Sequence, residues 1–218
     1  MKVILLGGTG MVGQGVLREC LLDSNVDAVL ALGRAPTGVE HSKLRELVRA
    51  DLFDLTPVAG ELTGYDACLF CLGVSSTGMS EEAYRRITYE LTLSVARTLA
   101  DVNPGSRFLY VSGASTDSSE HGRMMWARVK GRTENALLKL PLDAYMFRPG
   151  LIQPLHGVRS KTRAYRTFYA ITRPLYPLLR RVAPRLVTSS ETLGKAMVAV
   201  AANGAPKRIL ETADINAI

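Results

Sequence analysis

The 218-residue sequence is poor in cysteine, has a single tryptophan and contains no long hydrophobic run. Three cysteines, Cys20, Cys68 and Cys71, do not make a disulfide framework, so a reducing, cytoplasmic location is expected. Lys2 followed by the apolar run at 3–6 imitates the start of an export signal. Four apolar residues ending in a glycine pair nevertheless fall short of the roughly 7–15 that such a signal needs. No segment reaches the ~18 consecutive apolar residues of a membrane-spanning helix. Internal repeats, low-complexity tracts and linkers rich in Pro, Gly or Ser are also missing, which predicts one unit over residues 1–218. Apolar content of 47% is enough for a sizeable core. Acid is absent from 144–190, a stretch that carries nine of the positive charges in a chain of net charge +7.

What is present is clearest in the first fifteen residues, MKVILLGGTGMVGQG. Val3, Ile4, Leu5 and Leu6 have the continuous apolar character of a buried parallel strand, which breaks at Gly7 and Gly8. Beyond Gly10 the apolar residues Met11, Val12, Val16, Leu17 and Leu21 recur at three and four, the period of a helix packed by one face. Gly7, Gly10 and Gly13 give a GxxGxxG spacing, and Gly8, Gly10 and Gly13 a GxGxxG spacing. Such glycines allow a tight turn, close approach of backbone to a pyrophosphate and close packing of helix on strand. The anion then sits at the helix N-terminus, where free N–H groups and the positive end of the helix dipole face outward. Strand, glycine turn and helix in this order predict the first unit of a dinucleotide-binding fold.

Further strands are expected at 28–32, 47–50, 67–72, 108–111, 143–147 and 207–211. Helices are expected at 81–99, with Ile87, Leu91, Val95 and Leu99 on the inner face, and at 124–140. A last helix at 188–202 is capped by Ser189 or Ser190. Strands alternating with helices imply an α/β Rossmann fold, a doubly wound parallel sheet whose ligands lie at the carboxyl ends of the strands. Cofactor candidates follow from that placement. They are Gly7, Thr9, Gly10, Met11 and Val12 at the turn, Asp51 and Leu52, then Leu72, Gly73 and Val74, and finally Pro149, Gly150 and Leu151. Arg34 stands about twenty residues past the glycine motif, where NAD-selective folds carry an acid on the ribose hydroxyls. A guanidinium there suits a 2′-phosphate, so NADP(H) is favoured and NAD(H) is the alternative. Cys68 and Cys71, three apart on a strand, face opposite sides of the sheet and cannot share a metal, and no metal site is expected.

The segments GGTGMVG, CLGVSS, YVSGAS, WARVKGRTE and FRPGLI together resemble the short-chain dehydrogenase/reductase superfamily. The likeness is greatest to its atypical, NmrA-like and Tat-interacting-protein-like group of NAD(P)-binding proteins, over residues 1–212. The resemblance implies a serine that orients the substrate carbonyl, a tyrosine that donates the proton and a lysine four residues later that holds the nicotinamide ribose. Ser112 or Ser115 and Lys130 match, but the tyrosine position is Trp126. An indole N–H does not ionise usefully near neutral pH and cannot act as general acid. Proton donation then falls to another group such as His121 or Tyr110, or the acceptor is a flavin or quinone-like molecule that needs only hydride.

The expected function is an NADP(H)-dependent oxidoreductase of atypical type acting on a small acceptor. A non-catalytic NADP(H)-binding redox sensor is the alternative. The arginines of 151–190, interleaved with Tyr165, Phe168, Tyr169 and Tyr176, suggest a small C-terminal lobe that takes an anionic or aromatic substrate or meets an anionic membrane surface. No recognised motif accompanies the charge, which sets nucleic acid aside as a partner.

Overall fold

The computed structural model describes residues 1–158 and 181–218. Strand β1 (Lys2–Leu6) leads through the glycine turn into helix α1 (Met11–Leu22), followed by β2 (Ala28–Gly33) and β3 (Leu44–Val48). A 3-10 turn at Thr56–Leu62 precedes β4 (Ala67–Phe70). A long helical segment then runs through α2 (Glu81–Arg85), a π-turn at Arg86–Glu90 and α3 (Leu91–Val102). Next come β5 (Arg107–Val111), α4 (Met125–Leu137), β6 (Asp143–Arg148) and β7 (Leu151–Gln153). The chain closes with β8 (Val187–Ser189), α5 (Ser190–Asn203), β9 (Ile209–Glu211) and α6 (Thr212–Ala217).

Seven of these strands form one parallel sheet in the order β3-β2-β1-β4-β5-β6-β9. Because consecutive side chains on a strand point to opposite faces, β1 supplies both cores. Val3 and Leu5 pack with α1 and α5, while Ile4 and Leu6 pack with α3 and the 3-10 turn. That double burial is what its unbroken apolar run requires. Cys20 and Cys71 belong to the first face and Cys68 to the second, as the spacing on the strand implies. Among the described residues no group of three or more His, Cys, Asp or Glu could hold a metal. The chain order reverses between β2-β1 and β1-β4, and this doubly wound Rossmann arrangement opens a crevice at the carboxyl ends of β1 and β4.

Several boundaries differ from expectation. The third strand is β3 at Leu44–Val48, earlier than 47–50, because this sheet-edge strand is only partly covered and its apolar residues do not cluster. In the helical segment from Glu81, Ser80 caps the first turn by accepting from the Ala83 N–H at 3.2 Å. The π-turn inserts extra backbone, so Tyr84 and Thr88 face inward and Ile87 does not, while Leu91, Val95 and Leu99 keep their predicted places. Helix α4 is shorter at both ends than 124–140. Ser189 is the cap of α5, accepting from Thr192 N at 3.0 Å, and Thr188 before it lies in β8 rather than in the helix.

Arg148 is the largest correction. Instead of joining an outward turn and an exposed basic surface, it ends β6 with its side chain inside the protein. The other basic residues of that stretch, apart from Arg181 and Arg185, fall outside the described residues, as do Tyr165, Phe168, Tyr169 and Tyr176.

Candidate functional site

The glycine turn forms the floor of a cleft of 430 Å³ at the point where the strand order reverses. Gly7 has φ +84°, and a Cβ on it would lie 2.6 Å from the Cys71 carbonyl carbon at the end of β4. A Cβ on Gly13 would lie 2.1 Å from the Gly7 oxygen. No side chain fits in either place, so strand, turn and helix are drawn together as a backbone-lined cradle. Gly10 caps α1 without a side-chain hydrogen bond, and the first turn of the helix holds no acid. Its N–H groups and dipole therefore present a positive end to the cleft.

Of the sequence candidates, Gly7, Thr9, Gly10, Arg34, Leu52, Leu72 and Gly73 line this cleft. Gly8, already part of the GxGxxG spacing, joins them, as do Ala31, Leu32, Gly33, Ala35, Thr37 and Cys71, which were not cofactor candidates. Gly33, Ala35 and Thr37 follow from the position of β2, whose carboxyl end must border any ligand here. Met11 and Val12 lie in the first turn of α1 against the core rather than in the cleft wall. Asp51 is exposed and its carboxylate accepts from the Phe53 N–H at 2.8 Å, which commits it to its own loop. Glu46 is likewise held by Thr37, which donates from N at 2.6 Å and from Oγ1 at 2.5 Å. Val74 is exposed beyond the lining.

A second group of residues gathers at the end of β5. The register pairs Phe70 with Tyr110, so the chain beyond β4 and the chain beyond β5 leave the sheet side by side. Lys130 of α4 donates to the Ser112 carbonyl oxygen at 2.9 Å and lies 5.6 Å from the centre of the Tyr110 ring. Burial pushes its pKa down to about 8, with the Glu134 carboxylate offsetting part of the effect. Ser112 is buried, and its hydroxyl is 2.9 Å from that of Thr116, a residue the sequence did not mark. Ser115 is exposed with φ 66°, away from the Lys130 contact. Of the two candidate serines, Ser112 is the one brought to the lysine. Trp126 is half-buried one helical turn before Lys130 on α4.

His121 is exposed on the loop before α4. Tyr110 is buried in the core, where burial raises its phenol pKa far above the ordinary value. Pro149, Gly150 and Leu151 lie past β6 beside the β5 loop, with Ala114 N donating to the Pro149 oxygen at 2.9 Å and Gly150 N to Thr212 Oγ1 at 2.8 Å. They border the serine-lysine end rather than the glycine cleft.

A buried ion pair fixes the face of α4 that carries Lys130. Glu134, fully buried, accepts from Arg148 Nε at 3.0 and 3.2 Å and also from Arg148 Nη2. Arg148 further reaches Ser118 Oγ at 2.6 Å and Glu211 at 3.3 Å, tying β6, α4, the loop before α4 and β9 into one unit. Burial works against the Arg148 charge, but the two carboxylates outweigh it and hold the guanidinium protonated. A Cβ at Gly131 would fall 1.8 Å from the Asp117 oxygen, so the same helix lies directly against the loop that follows Ser115.

The model of the NAD dependent epimerase/dehydratase family matches residues 3–124, more than half of the chain, and ends just before α4. The "Protein FMP52, mitochondrial" of Meyerozyma guilliermondii is 25% identical over 192 residues, covering 81% of this chain and 79% of that protein. The protein of the same name from Kluyveromyces lactis is 25% identical over 154 residues, covering 69% and 66%. The Bordetella bronchiseptica enzyme WbmF in complex with NAD+ shares the fold with a TM-score of 0.69 at 16% identity, over 99% of this chain and 76% of that one.

These relatives overturn the cytoplasmic expectation, since they are named mitochondrial; cysteine usage reports on disulfides and carries no address. Among the described residues no helix is long and apolar enough to cross a membrane. The glycine cradle, the topology and the matched residues agree: this chain belongs to the NAD dependent epimerase/dehydratase family.

Proposed function

We propose that this protein is an NADP(H)-dependent oxidoreductase of the atypical, NmrA-like kind, passing hydride to a small anionic or aromatic acceptor without a tyrosine acid. The observation that carries the reading is the backbone-lined cleft at the switch point with Arg34 on its rim and no acidic side chain in its lining. The cradle fits a dinucleotide, because Gly7 and Gly13, where a Cβ would strike backbone, let strand, turn and helix close together and leave the N-terminus of α1 facing the cleft. A bound nicotinamide cofactor supplies or accepts the hydride. The chain itself contributes the N-terminus of α1 to the diphosphate, Arg34 to the 2′-phosphate and the Lys130 ammonium to the ribose hydroxyls. Ser112 orients the acceptor.

The experiment is calorimetric titration with NADPH and NADH. The wild type is expected to bind NADPH about 10-fold or more tightly, since a hydrogen bond to a charged group contributes about 1.5–3 kcal/mol. Arg34→Asp is expected to abolish or reverse the preference. Equal affinities in the wild type would remove the assignment of Arg34.

Trp126 favours a second reading, in which the protein binds the cofactor and reports redox state to a partner without turnover. NADPH oxidation with any quinone, flavin or aldehyde decides against it. An anionic membrane surface is the proposed partner of the acid-free stretch. On that basis the protein should cosediment with acidic vesicles at low ionic strength and be released as salt is raised. Retention in the supernatant at low salt would leave the stretch to substrate binding.

A further inference from the structure

Arg49 lies one residue beyond β3, the strand next to the one whose end borders the cleft. The register pairs Gly33 with Val48, and the Arg49 N–H donates to the Gly33 oxygen at 2.8 Å, so Arg49 runs alongside Arg34. Leu32 and Leu47, two residues before Arg34 and Arg49, both belong to the core on the α3 side of the sheet. Arg34 and Arg49 are each the first residue past their strand, so their backbones leave the sheet side by side. Arg49 Nε is buried and has no hydrogen-bond partner. Leaving a buried donor unsatisfied costs about 1–3 kcal/mol, and more when it is charged. A donor kept in that state is open to an acceptor that arrives from outside the chain. Of the carboxylates nearby, Asp51 accepts from Phe53 N, Glu46 from Thr37, and Asp54 from Thr56 N at 2.9 Å; the Arg49 charge also acts on Asp54 without a hydrogen bond to Nε.

We infer that Arg49 is a second specificity-determining cation, closing with Arg34 on the 2′-phosphate of the adenosine ribose. This rests on the cofactor reading given above. One arginine at the rim offers charge to a phosphate that water also reaches. Two on adjacent strands fix it from two sides, and their mutual repulsion in the free protein is relieved when the dianion binds. An NAD(H) molecule lacks the phosphate and gains nothing from Arg49.

The test is titration of NADPH, NADH and 2′,5′-ADP into the wild type, Arg49→Met, Arg34→Ala and the double variant. Met keeps the aliphatic length of the side chain, and NADH affinity reports whether the cleft remains intact. Arg49→Met is expected to weaken NADPH and 2′,5′-ADP about 10-fold or more while leaving NADH within twofold. The double variant should lose less than the product of the two single losses. If Arg49→Met leaves all three affinities unchanged while Arg34→Ala weakens NADPH, the inference is overturned and the NADP(H) reading stands. Equal weakening of NADPH and NADH would assign Arg49 a structural role and also overturn it. A wild type that binds NADH as well as NADPH would overturn both.

Discussion

Glu134→Ala should cost about 3–5 kcal/mol of folding stability, the loss expected when one member of a buried ion pair is removed and its partner stays charged inside the protein. The pair is placed for a loss of that size. Glu134 is 0% exposed and Arg148 8%, so neither charge recovers hydration when the other is deleted. Arg148 would keep Ser118 and the half-exposed Glu211, which satisfy one edge of the guanidinium and leave the other facing a cavity. For a domain of this size the midpoint of thermal unfolding should fall by about 6–20 °C. The companion variant Glu134→Met with Arg148→Met removes both charges and should recover much of the loss, because an apolar pair of similar volume carries no desolvation penalty. Thermal and urea unfolding of the three proteins decide it. A single-variant loss under about 1 kcal/mol would mean that water enters and solvates Arg148, and that the pair is not the tie between α4, β6 and β9 described above.

The reach of the sequence follows the range of the interactions. The strand, turn and helix at the amino end were legible because each signal there is local. Four apolar residues, glycines at fixed spacing and a three-four repeat need no knowledge of the rest of the chain. By contrast, β7 and β8 are three-residue strands whose pairing, Ile152 with Thr188, joins residues far apart in the chain, and α6 is a single short helix. No periodic pattern develops over so few residues. In the site, the two serines of YVSGAS could not be separated by spacing. The left-handed backbone at Ser115 and the Lys130 contact at Ser112 separate them. Arg148 was misplaced for a related reason. A charged residue before Pro-Gly reads as a surface turn, and its partners Glu134 and Glu211 lie 14 and 63 residues away on other elements.

Trp126→Tyr is expected to raise carbonyl reduction by about 10²–10⁴-fold, the contribution of a positioned general acid. Trp126 and Lys130 are four apart on α4, so their side chains share the face that meets the end of β5. A phenol at 126 would be one turn from an ammonium beside the Ser112 carbonyl, and that positive charge would lower the phenol pKa toward the working range. Lys130 itself sets a pH limit. Its folded pKa of about 8 lies below the ordinary 10.5, so burial makes the charged form costly to folding below pH 8, and stability rises between about 8 and 10.5 as the folded state loses the proton first. Cofactor binding should run the other way, weakening as pH rises through about 8 and the ammonium is lost. Lys130→Ala should weaken NADPH binding at pH 7 and flatten that dependence. Trp126→Tyr should leave NADPH affinity nearly unchanged, since the ribose contact needs only the lysine. Initial rates on a panel of aldehydes and quinones across pH 6–9 test both statements. Quinone reduction should change little between wild type and Trp126→Tyr, because an acceptor that takes hydride directly has no need of the phenol. Wild-type aldehyde reduction as fast as that of the variant, with one essential acid in its pH profile, would show that another residue supplies the proton and that Trp126 marks no departure in chemistry.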